Sequence, residues 1–245
     1  MSLAQYQEKF RQLVVNVRND RASPHKICML LAVLDLARAG ALPSNRVEFG
    51  PPLLERYHAF FAAVRGKTDH PNPYFPFFHL TGKLRNGEVS FWQLKALPGR
   101  EAVLAALSTA RSMADITSNV AYAELDAELF QLLQDMASID VLTETISSHW
   151  LDRGLQDLNA VVAASSQISR YENLLRTSSD LKAQEVAPLA YVRNAAFRRI
   201  VTQLYDFRCA ATGVRIVLPT GETMVEAAHI HPFSEAGDDD PRNGI

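Results

Sequence analysis

The stretch HPNPYFPFFHL, residues 70–80, constrains the fold most, because it packs three prolines and four aromatics into one short run. Each proline removes a backbone donor and clashes with the preceding turn, so a regular helix is not expected there. FFHL reads instead as a strand, and EVSFWQL, residues 88–94, as a second, with Asn86-Gly87 supplying the turn of a hairpin. Tyr74, Phe75, Pro76, Phe77 and Phe78 cannot all face one core at strand alternation. Either some of them form an exposed apolar cup, or the prolines set a kinked corner and the rings plug two small cores.

Three helices are expected before this corner. Phe10, Leu13, Val14 and Val17 recur at helical spacing on one face. Ser23-Pro24 is a helix start, Ile27, Leu30, Leu31 and Leu34 form the next stripe, and Gly40 fits a C-cap. Pro51-Pro52 opens a third helix running from about Leu53 to Val64. Three helices and a β-ribbon are the element order of a winged-helix-like module, which by itself says little about function.

From Arg100 to about Leu158 the pattern is helical, with one stripe at Leu125, Leu129, Leu132 and Leu133 and another at Ile139, Leu142 and Ile146. Residues 159–188 are rich in Ala, Ser, Gln and Thr and read as a linker. A last helix, from about Ala190 to Tyr205, places Phe197, Ile200, Val201 and Leu204 on one face, and Thr220-Gly221 marks a second hairpin. The expected class is therefore α+β: a helix-rich domain with a hairpin over 1–158, a linker over 159–188, and a small C-terminal module over 189–245.

The net charge of −2 argues against indiscriminate nucleic-acid binding, but its distribution is uneven. Between Leu189 and Leu218 stand Arg193, Arg198, Arg199, Arg208 and Arg215 against Asp206 alone, and the acids gather from Glu222 to Asp240. A basic platform for phosphates and a solvated helix face both fit that pattern. Two distant cysteines, Cys28 and Cys209, suit a reducing cytoplasm and exclude a disulfide framework. No apolar run is long enough to span a membrane, and the N-terminus lacks a signal-peptide layout.

The chemistry concentrates in MVEAAHIHPFSEAGDDDPRNGI, residues 224–245. His229 stands at a predicted strand end after two alanines. Histidine supplies a general base near neutral pH, although a strand-end histidine also fits a structural role. Asn243 can orient that histidine or pin the loop to backbone. Asp238 to Asp240 read as a solvated acidic loop, and with His231 they also suit a cation such as Mg²⁺.

Cys209, Thr212-Gly213, Ala228-His229-Ile230, Pro232, Gly237-Asp238 and Asn243-Gly244 together resemble an HNH endonuclease domain of the ββα-metal fold. The resemblance implies that His229 activates water, that Asn243 is the middle letter of the motif, and that a divalent metal, Mg²⁺, takes part. It also implies a further helix carrying the final histidine after Asn-Gly, so the module is expected to be incomplete here and its metal ligands are unassigned.

SPHKICMLLAVLDL, NPYFPFFHLTGKLRNGEVSFWQL and YAELDAELFQLLQD resemble the sulfur-recognising domains of modification-dependent HNH restriction enzymes. By that resemblance His25 and Lys26 approach the DNA backbone, Phe75 and Pro76 help form an apolar cup for a phosphorothioate sulfur, and Lys83 and Arg85 contact phosphates; Tyr74 joins the DNA-binding set as a member of the apolar cup read from the residues. Arg198 and Arg199 belong to the basic platform of the cutting module. Ile27, Phe75 and His79 depart from the family's usual residues, which leaves the modification open between phosphorothioate and 5-hydroxymethylcytosine. The expected function is a cytoplasmic, modification-dependent endonuclease acting on double-stranded DNA, compatible with a homodimer. The competing expectation is a DNA-binding protein without catalysis.

Overall fold

The structure, a computed structural model, describes residues 2–18, 21–151, 158–177, 189–236 and 238–245. It is α+β, about 52% helix with a small antiparallel sheet. Among the described residues no helix is long and apolar enough to cross a membrane.

Helix α1 is Leu3–Arg11, two residues of strand β1 (Val17–Arg18) pair with β2 (Arg21–Ala22), and α2 is His25–Arg38. The first predicted stripe stops short: Phe10 and Leu13 are buried, whereas Val14 and Val17 lie exposed beyond the helix end. Every residue of α2 from Ile27 to Leu36 is buried, not one stripe alone. A helix that is apolar around its circumference belongs at the centre of a core, and α2 packs against α3 (Pro51–Val64) as well as later helices. Gly40 closes α2 with φ +67°, its N–H donating to Ala37 O and that of Ala41 to Leu36 O.

The proline-aromatic corner is a helix. Tyr74–His79 forms α4, not the strand expected from FFHL. Its prolines occupy places where they cost little. Pro73 is the N-cap and Pro76 the third helical residue, and the first N–H groups of a helix have no partner within it. The remaining donors are used: Phe77 N–H bonds Pro73 O at 3.2 Å and Leu80 N–H bonds Pro76 O at 3.0 Å. The turn at Asn86-Gly87 forms with Gly87 at φ +85°, but it joins only a single bridge, Lys83 to Val89.

Strand β3 (Trp92–Ala96) pairs instead with β4 (Val120–Leu125), in a stretch expected to be helical. Between them lie the short helices α5 (Glu101–Ala106) and α6 (Met113–Thr117). Leu125 therefore ends a strand and does not begin the stripe continued by Leu129 and Leu133, which are buried from α7 (Ala127–Leu132) and the residue after it. Backbone pairing with β3, and with Val47 through Ala123, outweighs the helical spacing of these leucines. In α8 (Met136–Leu151) the expected stripe holds: Ile139, Leu142 and Ile146 are all buried.

The segment expected as a linker is mostly helix. Leu158–Thr177 forms α9, a 20-residue helix packed against α2, α3, α8 and α10 (Ala190–Leu204). The rest of that expected linker, 178–188, lies outside the described residues. The polar composition of α9 has a physical cause in what it covers. Ser165 and Ser169 donate to Asp35 Oδ1 at 2.9 and 2.5 Å, and Glu172 accepts from Arg56 at 2.5 Å. Arg56 also donates to Asp35 at 3.1 Å. Asp35, Arg56 and Glu172 are 0%, 2% and 1% exposed, so the ion cluster lies wholly inside. A buried cluster is tolerated only when its charges balance and its lone pairs are filled.

Candidate functional site

Residues 228–230 run antiparallel to 243–245. Ala228 and Ile245 exchange backbone bonds at 2.8 and 2.9 Å, Ile230 N–H donates to Asn243 O, and His229 faces Gly244 across the pair. His229 lies flat on Phe197 of α10, with ring centroids 3.8 Å apart and planes 7° from parallel. This stacking explains the glycine of Asn-Gly: a Cβ at Gly244 would collide with the Val201 side chain and sit 3.1 Å from Phe197. Gly244→Ala is accordingly expected to lower stability by about 1–3 kcal/mol through overpacking, read as a lower thermal midpoint. An unchanged midpoint would count against this close approach.

His229 Nε2 lies 2.9 Å from Asp239 Oδ1. A carboxylate only accepts, so Nε2 is the donor in this bond. Asp239 is 3% exposed, which corrects its expected place in a solvated acidic loop. Its other oxygen accepts from Tyr171 Oη at 3.1 Å and faces Arg193 Nε at 3.2 Å. The Arg193 guanidinium lies 3.3 Å above the Phe233 ring, beside the histidine. Burial and the nearby Asp239 both push the Tyr171 phenol up, so it remains a donor.

Asn243 does not touch the His229 ring. Its Oδ1 accepts from His231 N–H at 2.8 Å and its Nδ2 donates to His231 O and Asp238 O at 3.0 and 3.3 Å. Of its two expected roles it performs the second, pinning the loop.

The neighbouring acids are taken up by protein donors. Asp240 pairs with Arg242, which holds its carboxyl below the usual range, and Asp238 Oδ1 accepts from Asp240 N–H. No group of three potential ligands occurs among the described residues.

The expected basic platform is not an open surface. Arg193 faces Asp239, Arg198 bonds Glu55 at 2.8 Å, and Arg208 and Arg215 face Asp206. Arg199 is buried, 3.4 Å from Glu55 and within 3.6 and 3.8 Å of Asp35 and Glu172. Arg199 is thus shielded from a DNA surface, whereas Arg198 keeps about a third of its side chain exposed beside Glu55. Arg198 and Arg199 balance carboxylates brought to them by α2, α3 and α9.

In the N-terminal half, a cavity of about 150 Å³ gathers His25, Lys26, Phe75 and His79. It adjoins a cleft of about 670 Å³ that shares His25 and Phe75 and reaches Arg21 and Asn72. Phe75 is 40% exposed, its ring 4.3 Å from that of His79. His79 bonds Thr109 at 2.9 Å, and burial with the adjacent Lys26 charge lowers its pKa. Burial also lowers Lys26. His25 is engaged at both nitrogens, by Ser23 Oγ and His70 O at 2.9 Å each, so it shapes the cavity and offers neither nitrogen to a phosphate. Pro76 is buried in α4 and Tyr74 packs against the core, so neither completes the cup. Lys83 and Arg85 are exposed at the following turn, apart from the residues lining the cavity, with Arg85 5.8 Å over the Trp150 ring.

Tyr171 was not singled out from sequence, Asp239, Arg193 and Phe197 were read there only as parts of an acidic loop, a basic row and an apolar face, and only Asp239 lies near His229 in the chain. No protein-family model matches the chain, and no curated protein matches it.

Proposed function

We propose that the chain is a modified-DNA-binding protein of the modification-dependent endonuclease type, with a helix-rich reader and an HNH module. The observation that carries the hydrolytic half is the His229–Asp239 pair at 2.9 Å. The buried carboxylate fixes the imidazole tautomer and stabilises the cation formed when Nδ1 takes a proton from an attacking water. The reading half rests on the cavity at Lys26, Phe75 and His79, where an ammonium meets a phosphate and an apolar ring meets a poorly hydrated sulfur or a base substituent. The same reading carries a cytoplasmic setting, a divalent metal and pairing of two chains as parts of the proposal.

A second reading, binding without cleavage, is favoured by one observation: the carboxylates near His229 are occupied by protein donors. A nicking assay on supercoiled plasmid with Mg²⁺ separates the two. The 245-residue chain is expected to nick slowly or not at all, and any nicking is expected to vanish in His229→Ala. Nicking that survives His229→Ala removes the general-base assignment; vigorous His229-dependent nicking contradicts the occupied-carboxylate account. Complete inactivity alongside retained DNA binding supports the second reading.

A further inference from the structure

We propose that Tyr171 is a positioning residue for His229, acting through Asp239 from a helix far away in sequence. The inference rests on the general-base reading of His229. Asp239 presents Oδ1 to the imidazole at 2.9 Å, and Oδ2 accepts from the Tyr171 hydroxyl at 3.1 Å, while Arg193 Nε stands 3.2 Å from Oδ2 without hydrogen-bond geometry. A carboxylate gripped on one oxygen alone can rotate about its own bond. One held on both oxygens by groups from separate elements keeps the imidazole in one orientation.

Tyr171 is well placed for this task because its own position is fixed. The next residue, Glu172, is buried and bonded to Arg56 and Arg176 at 2.5 and 2.8 Å. Helix α9 also packs along α10, which carries both Phe197 beneath the imidazole and Arg193 beside the same carboxylate. The charged and titratable groups around the pair are thus Asp239, Arg193 and Tyr171. The dyad is held by a helix whose partners are the central helices, not by its own loop alone.

The test is an NMR titration of the His229 ring nitrogens in three variants. Tyr171→Phe removes one hydroxyl. Without that donor the carboxylate holds the imidazolium more strongly, so His229 is expected to titrate about half a unit to one unit higher. Tyr191→Phe, which loses an exposed bond to Gln167, is expected to leave the titration unchanged. Asp239→Asn is expected to lower it. If Tyr171→Phe titrates as wild type while Asp239→Asn moves, Tyr171 has no positioning role. If neither moves, the His229–Asp239 pair itself fails, and the general-base reading with it. Should Tyr171→Phe not fold, fluorotyrosine at the same position strengthens the donor and is expected to lower the titration; no shift there overturns the proposal.

Discussion

Arg56→Met is expected to lower the melting temperature by on the order of 10 °C. Removing one partner of a buried ion cluster typically costs about 3–5 kcal/mol, because the other charge stays behind without compensation. Arg56 is the shared donor to Asp35 and Glu172, at 3.1 and 2.5 Å. Burial alone would raise the Glu172 carboxyl, and the guanidiniums of Arg56, Arg199 and Arg176 overcome it and hold it below the usual range. The sign of the pH dependence follows. A depressed folded-state pKa contributes stability that is present above the ordinary glutamate value of about 4.3 and is lost as pH falls through the folded value. The wild type should therefore weaken in acid. The deficit of Arg56→Met should be larger at pH 7 than in acid below the folded value, where Glu172 is protonated with or without its partner. Thermal unfolding at the two pH values checks this, and equal deficits would contradict it.

The second large effect concerns DNA. Lys26→Ala is expected to weaken binding to every duplex by roughly ten- to a hundredfold, since a charged hydrogen bond contributes about 1.5–3 kcal/mol. It should also reduce the slope of log affinity against log salt by about one, the mark of a single phosphate contact. Phe75→Ala should behave differently. It deletes the exposed ring at the cavity, so binding to unmodified DNA should hardly change while preference for the modified duplex disappears. Fluorescence anisotropy at several salt concentrations separates a backbone contact from a discriminating one. A uniform loss in Phe75→Ala would assign that ring to general packing.

How much of this was legible in the sequence depends on where each signal lies. Helices α3 and α10 follow from proline placement and apolar spacing within one segment, and the glycine turns at 40, 87 and 221 follow from their need for positive φ. Helix α4 was hidden because prolines that forbid a helix interior are harmless in its first turn. Strand β4 was hidden because its leucine continues a helical spacing and only the distant partner β3 decides otherwise. Helix α9 was hidden for a further reason. Its serines and glutamate look like solvent-facing linker until Asp35 and Arg56 stand opposite them, 134 and 116 residues away. The site divides the same way. His229 and Asn243 carry local signals, whereas Tyr171 reaches Asp239 across 68 residues and has none. The arginine row misled because a list of charges along one helix omits the carboxylates that other helices bring to it.

The most direct measurement is the affinity of the 245-residue chain for three duplexes of one sequence: unmodified, phosphorothioated and carrying 5-hydroxymethylcytosine. The account predicts tighter binding to one modified duplex than to the unmodified one, with the preference lost in Phe75→Ala. Equal affinity for all three, or no binding to any, would contradict it.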